Sequence, residues 1–168
     1  FIHGGRQESG RRAGTENVPA IAGMGEAARL AAASMKERIR RETALRDYMI
    51  YRLENEIPYC CLNGPRLKRL PGNVNMAFDF ADGESLVILL DLEEICCSSG
   101  SACTSGEAGT SHVLQGIGLP PGYARGSVRF TIGEHTTKQD IDITVEKCKE
   151  VLARFREMNP AYTSFAHG

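Results

Sequence analysis

The chain has 168 residues, of which 42% are hydrophobic and 24% charged, with a formal net charge of -1. That length suits about one domain whose core needs no disulfides, and near neutrality leaves no field for nucleic acid or an anionic membrane surface. The apolar runs are short and broken by Asp, Glu or Gly, which excludes a spanning helix.

Six cysteines, two adjacent pairs among them, show neither C-x-x-C nor zinc-ligand spacing, so reduced thiols and no metal are expected. No charged-then-apolar leader opens the sequence, and a cytoplasmic location is expected. Because "FIHGGRQESGRRAGTENV" starts in what reads as the middle of an element, the chain is expected to be part of a longer polypeptide.

In chain order, residues 4–17 form a Gly- and Arg-rich loop with four glycines and three arginines just ahead of a helix. Backbone N–H groups and a helix dipole in that arrangement favour phosphate. From Val18 to about Ile57 the composition predicts a long helix, with Asn17 as N-cap and Pro19 in the first turn. Ile21, Met24, Ala28, Ala31 and Met35 make one apolar stripe; Leu45, Tyr48, Met49 and Leu53 make a second. The charged "KERIRRET" between them reads as a solvated face or a bend.

After Pro58 the segments shorten. "YCCLNG" and "GNVNMAFDF" read as strands, the latter with Val74, Met76 and Phe78 inward. "GESLVILLDLE" reads as a helix opened by Asp82 and Gly83, "EICC" as a brief strand, and "SHVLQGIG" as a short helix capped by Ser111 and closed by Gly118. "LPPGYAR" reads as a turn-rich connector and "GSVRFTIG" as a strand. The last element is an amphipathic helix with Ile141, Val145, Cys148, Val151, Leu152 and Phe155 inward. The fold class expected is α/β, a small mixed or antiparallel sheet with helices over it.

Three features could carry chemistry. "CCSSGSACTSG" is too rich in Ser, Thr and Gly for a regular element, and it offers Cys103 as an accessible thiol. The other five cysteines read as small hydrophobes. The opening loop, with the hydroxyls of Ser9 and Thr15, could hold a phosphate. Arg129, between apolar Val128 and Phe130 on a strand, points to the opposite face, where its guanidinium could hold a carboxylate by two parallel bonds. His112 and His135 read as structural or solvated.

Taken together, "HGGRQESGRRAGTENV", "RLPGNVNMAF", "SSGSACTSG", "SHVLQGIGL" and "GSVRFTIGEHTT" resemble the pyridoxal-phosphate-dependent cysteine desulfurases of the NifS and IscS kind, class-V aminotransferases. They cover nearly the whole chain in the family's order, and "SSGSACTSG" is the form of the branch with a long, mobile catalytic loop. The resemblance implies the C-terminal domain of a fold-type I enzyme: residues 1–34 as the trailing part of the large pyridoxal-phosphate domain and 35–168 as the small domain. It also implies that L-cysteine is converted to L-alanine and an enzyme persulfide, that sulfur is delivered to an acceptor or scaffold protein, as in iron–sulfur cluster assembly, and that the complete enzyme is a homodimer.

On matching positions Cys103 would be the nucleophile, Thr15 a phosphate contact to the partner subunit's cofactor, and Arg129 the anchor of the substrate carboxylate. The family's cofactor lysine follows a histidine in an upstream segment, and none of the lysines here matches it, so the chain alone is expected to be inactive. Arg6 and Ser9 stand where glycine and arginine are common in the family, and "EAGTSHV" departs from its usual loop exit. Two other readings are a selenocysteine lyase of the same cofactor class and a non-enzymatic thiol carrier of sulfur.

Overall fold

A computed structural model describes residues 3–99 and 111–166. The chain divides into two compact units, Phe1–Arg38 and Ile39–Gly168. In the first, the opening loop contains a single 3-10 turn, Glu8–Gly10, in which Glu8 and Ser9 take φ of 50° and 57°. Helix α1, Val18–Glu56, begins there and continues into the second unit. Asn17 caps it as expected, its Oδ1 accepting from the Ala20 N–H at 3.1 Å.

The two apolar stripes of α1 behave differently. In the second unit Met49, Ile50 and Leu53 are buried. In the first, Ile21, Met24 and Met35 are 52%, 71% and 51% exposed, so the spacing predicted the helix but not burial. The charge run between them is more than a solvated face. Arg41 of that run donates to the carbonyls of Gly133 and Thr136, and beyond the run the buried Arg46 pairs with Asp47 and donates to the Leu70 carbonyl. The Gly133 and Leu70 carbonyls also accept from the N–H groups of Thr136 and Asn73, so the arginines add a second donor there.

The second unit is built on a four-stranded antiparallel sheet in the order β1-β2-β4-β3, as the pattern of short segments predicted. Its strands are β1 (Cys60–Leu62), β2 (Asn73–Phe78), β3 (Ser98–Ser99) and β4 (Ser127–Thr131). Alternation directs Val74, Met76 and Phe78 of β2 and Val128 and Phe130 of β4 to one face. There they meet the second half of α1, helix α2 (Gly83–Asp91) through Leu86 and Leu90, and helix α5 (Lys138–Glu157) through Ile141, Val145, Cys148, Val151 and Leu152. Phe155 is half-buried at the margin of this core. The Asp82 carboxylate caps α2, accepting from the Ser85 N–H at 2.9 Å.

Three expectations shift. "EICC" is irregular and the strand falls on the next two residues, because the turn that ends α2 runs on through Glu94, at φ 62°, before the chain straightens. "LPPGYAR" contains a helical turn, α4 (Pro121–Arg125), which the fixed φ of Pro121 at its first position favours. Helix α3 (His112–Gly116) follows Ser111 as expected, but the serine hydroxyl makes no cap bond. A last helix, α6 (Pro160–Ala166), follows α5.

Where α4 hands over to β4, Gly126 is required by proximity. A Cβ there would stand 2.0 Å from the Phe78 carbonyl oxygen, and the Phe78 N–H donates to the Gly126 carbonyl at 3.1 Å.

Candidate functional site: the polar face of the sheet and the opening loop

The face of the sheet opposite the core is polar. In the register, Asn75 of β2 lies directly beside Arg129 of β4, and Arg129 directly beside Ser98 of β3. Arg129 is exposed between the buried Val128 and Phe130, as its neighbours predicted. Its guanidinium makes one contact among the described residues, a long 3.4 Å approach to the Ser98 hydroxyl, with no carboxylate facing it. An exposed, permanently charged guanidinium without an acidic partner is a ready site for a carboxylate.

Beneath this row lies a small buried network that sequence reasoning missed. Asn63 and Ser127 are 5% and 1% exposed. Asn63 Nδ2 donates to Asn75 Oδ1 at 2.9 Å and to Ser127 Oγ at 3.1 Å, and the Ser127 hydroxyl donates to the Tyr123 carbonyl at 3.2 Å. Asparagine and serine are too common in turns and on strand surfaces for their letters alone to suggest a shared site. The only signal was parity, since Asn75 and Arg129 each sit between inward-facing residues.

Ser98 begins the segment that leads towards Cys103, which lies outside the described residues. Four of the five described thiols are poor nucleophiles. Burial pushes Cys60 and Cys97 up to about 11 and raises Cys148 further, and burial also raises Cys61. Cys60 in addition donates to the carbonyls of Leu53 and Ile57. Cys96 is exposed, on a cleft of about 410 Å³ whose wall includes Glu93, Thr131 and Asp140. Among the described residues no group of three or more His, Cys, Asp or Glu is arranged for a metal ion, and no helix is long and apolar enough to cross a membrane.

In the first unit the opening loop folds around a cavity of about 450 Å³ lined by His3, Gly4, Gly5, Arg6, Arg11 and Arg12. Thr15 is exposed between this loop and the start of α1. Three guanidinium-bearing residues around a glycine-lined hollow fit the phosphate end of a cofactor. The lysines do not fit its ring end. Hydrogen bonds to Asp142, Glu93 and Glu146 respectively raise Lys138, Lys147 and Lys149 and hold them protonated. Lys36 lies exposed on α1 and Lys68 exposed in a surface loop. His112 and His135 are exposed at helix starts.

Comparison with known proteins follows the same lines. The sequence model of the family described as Aminotransferase class-V matches residues 4–144. The cysteine desulfurase IscS of Dictyoglomus turgidum is 47% identical over 160 residues, covering 95% of this chain and 41% of that protein. A cysteine desulfurase of a Nostoc species is 45% identical over 160 residues, covering 95% and 40%. A crystal structure of a NifS-like protein from Rickettsia africae matches with a TM-score of 0.78 and 31% identity, over 91% of this chain and 39% of that one. The chain thus spans about 40% of the length of the curated relatives it matches. With a family match over most of its length and a fold like that of a NifS-like protein, the chain belongs to the class-V aminotransferase family and is similar within it to the cysteine desulfurases.

Proposed function

We propose that this chain is the carboxy-terminal part of a pyridoxal-phosphate-dependent cysteine desulfurase, which converts L-cysteine to L-alanine and a persulfide on Cys103. The observation that carries the reading is the exposed Arg129, held on a rigid strand with no acidic partner among the described residues, beside the strand that leads to the Cys103 segment. Arg129 anchors the substrate carboxylate through charge-assisted bonds and so fixes where the substrate sulfur lies. Pyridoxal phosphate, when bound, supplies the electron sink that makes the substrate Cβ–S bond labile.

Cys103, as thiolate, attacks that sulfur. The new S–S bond forms as Cβ–S breaks, the bonding pair remains with the substrate carbon, and a proton there completes alanine. A Ser- and Gly-rich segment suits a residue that must collect sulfur at the substrate and release it to an acceptor or scaffold protein. Thr15 and the arginines of the opening loop contact the cofactor phosphate, Thr15 reaching the partner subunit's cofactor in a homodimer.

Residues 1–34 form the trailing part of the large domain, and the exposed Ile21 and Met24 of α1 are the apolar surface that such a domain would cover. Residues 35–168 form the small domain. The lysine that holds the cofactor comes from outside this chain, so the segment alone is inactive, and the complete protein works in the cytoplasm. Incubating the complete protein and the 168-residue segment with L-cysteine tests this. Alanine and a Cys103 persulfide form with the complete protein alone. Turnover of selenocysteine only, or sulfur loading of Cys103 without cofactor, overturns the reading.

A further inference from the structure

We infer that Asn75 is a second anchor for the substrate carboxylate, its side-chain amide donating beside the Arg129 guanidinium. The inference rests on the reading of Arg129 as carboxylate anchor and adds to it a residue that the sequence did not single out.

Hydrogen-bond direction orients the Asn75 amide. Ser127 spends its only hydroxyl hydrogen on the Tyr123 carbonyl, at 3.2 Å, so its oxygen faces Asn63 as an acceptor. Asn63 Nδ2 has two hydrogens and uses both, one on Ser127 Oγ and one on Asn75 Oδ1. The Asn63 backbone N–H adds a bond to the Asn75 carbonyl at 2.9 Å, and the Asn63 carbonyl accepts from Arg69 Nη2 at 2.8 Å, so the Asn63 backbone is held on both sides, while its Oδ1 is buried without a partner among the described residues. Asn75 therefore presents Oδ1 inward to a donor, and its own Nδ2 is the outward atom. No described residue accepts from that Nδ2.

Position completes the case. Asn75 and Arg129 are directly paired across β2 and β4, so their side chains rise from the same face with Cβ atoms about 5 Å apart. That spacing lets an amide N–H and a guanidinium N–H reach the two oxygens of one carboxylate. The neighbours in this row, Asn73 and Thr131, pair with each other further along the two strands, so neither lies directly beside the Arg129 guanidinium. Two uncharged residues that are almost fully buried, Asn63 and Ser127, thus hold one half-exposed amide in a single orientation.

The test is made in the complete holoenzyme with Asn75→Ala and Arg129→Ala side by side, measuring KM and kcat for L-cysteine. Inhibition by cysteamine, which has the same amine and thiol without the carboxylate, is measured alongside. Asn75→Ala is expected to raise KM about tenfold, the scale of one hydrogen bond to a charged group. The kcat stays within about twofold, and the cysteamine inhibition constant does not change. Asn75→Ser, which keeps an acceptor for Asn63 but is too short to reach substrate, shows the same pattern and serves if the alanine variant fails to fold.

If Arg129→Ala raises KM and neither Asn75 variant does, the inference fails while the anchor reading stands. If Arg129→Ala leaves KM unchanged, the anchor reading fails and this inference with it. A change in cysteamine inhibition equal to the change in KM for L-cysteine would reduce Asn75 to a structural residue.

Discussion

The two faces of one small sheet divide the labour of this chain. On β2 and β4, Val74, Met76, Phe78, Val128 and Phe130 point into a core closed by α1, α2 and α5, whereas Asn75, Arg129 and Thr131, from the same strands, point the other way and make no apolar core. Neighbouring residues therefore answer to different constraints. The inward set is chosen by volume and packing, the outward set by which atoms it presents. The difference teaches that a charge can be positioned without flexible backbone, since a strand held rigid by its inner face fixes where Arg129 rises on its outer face.

The comparison predicts a large asymmetry in stability. Phe78→Ala removes a side chain that is 1% exposed from the centre of the core and is expected to cost about 3–5 kcal/mol of unfolding free energy. Arg129→Ala, one strand away on the other face, is expected to cost within about 0.5 kcal/mol while weakening L-cysteine binding in the complete enzyme. Urea unfolding of the two variants checks this, and equal losses would mean that Arg129 has a structural role.

The same contrast recurs among the cysteines at smaller scale. Cys148 is buried on α5, and Cys148→Ser places a hydroxyl among Ile, Val and Leu, an expected cost of about 1–3 kcal/mol. Cys96 is exposed, and Cys96→Ser is expected to stay within about 0.5 kcal/mol. Thermal unfolding of the pair separates them, and a destabilised Cys96→Ser would show that the thiol packs.

The smallest effect concerns acid. At the rim of the core, Arg52 bonds to Glu56, Asp142 and Glu146, while Lys149 reaches Glu56 at 3.0 Å. Hydrogen bonds from Arg52, then Lys149, hold Glu56 down to about 2, and bonds from Lys138, then Tyr48, hold Asp142 to about 2. Depressed folded values mean that this stabilisation is complete above the ordinary carboxylate range near 4 and fades as pH falls from there towards 2. Arg52→Leu is expected to flatten the pH dependence of the unfolding midpoint in that window. An unchanged slope would show that the pairs are fully screened by solvent.

How much of this was legible in the sequence follows from what each signal depends on. Period-two alternation in "GNVNMAFDF" and "GSVRFTIG" is a property of the strand itself, so both strands and the outward direction of Arg129 could be read directly. The stripe of Ile21, Met24 and Met35 gave the helix but not burial, because periodicity marks a face without saying what meets it.

Helices α4 and α6 were missed although Pro121 and Pro160 stand at their first positions, since proline in a short polar stretch reads first as a turn. The capping box of Thr137 and Asp140 that opens α5 is visible in "TKQD". The Asn63–Asn75–Ser127 network had no local signal, because its members lie up to 64 residues apart and meet through the registers of β1 with β2 and of β2 with β4.

The central claim is that sulfur passes through Cys103, and Cys103→Ser in the complete enzyme tests it most directly. Serine keeps the size and polarity of the position but does not ionise near neutral pH and attacks sulfur poorly. The variant is expected to bind pyridoxal phosphate and L-cysteine normally, yet to release almost no alanine and to carry no persulfide, while Cys96→Ser and Cys97→Ser retain both products. Normal alanine release from Cys103→Ser, with loss in Cys96→Ser or Cys97→Ser, would contradict the account and move the nucleophile to the foot of β3.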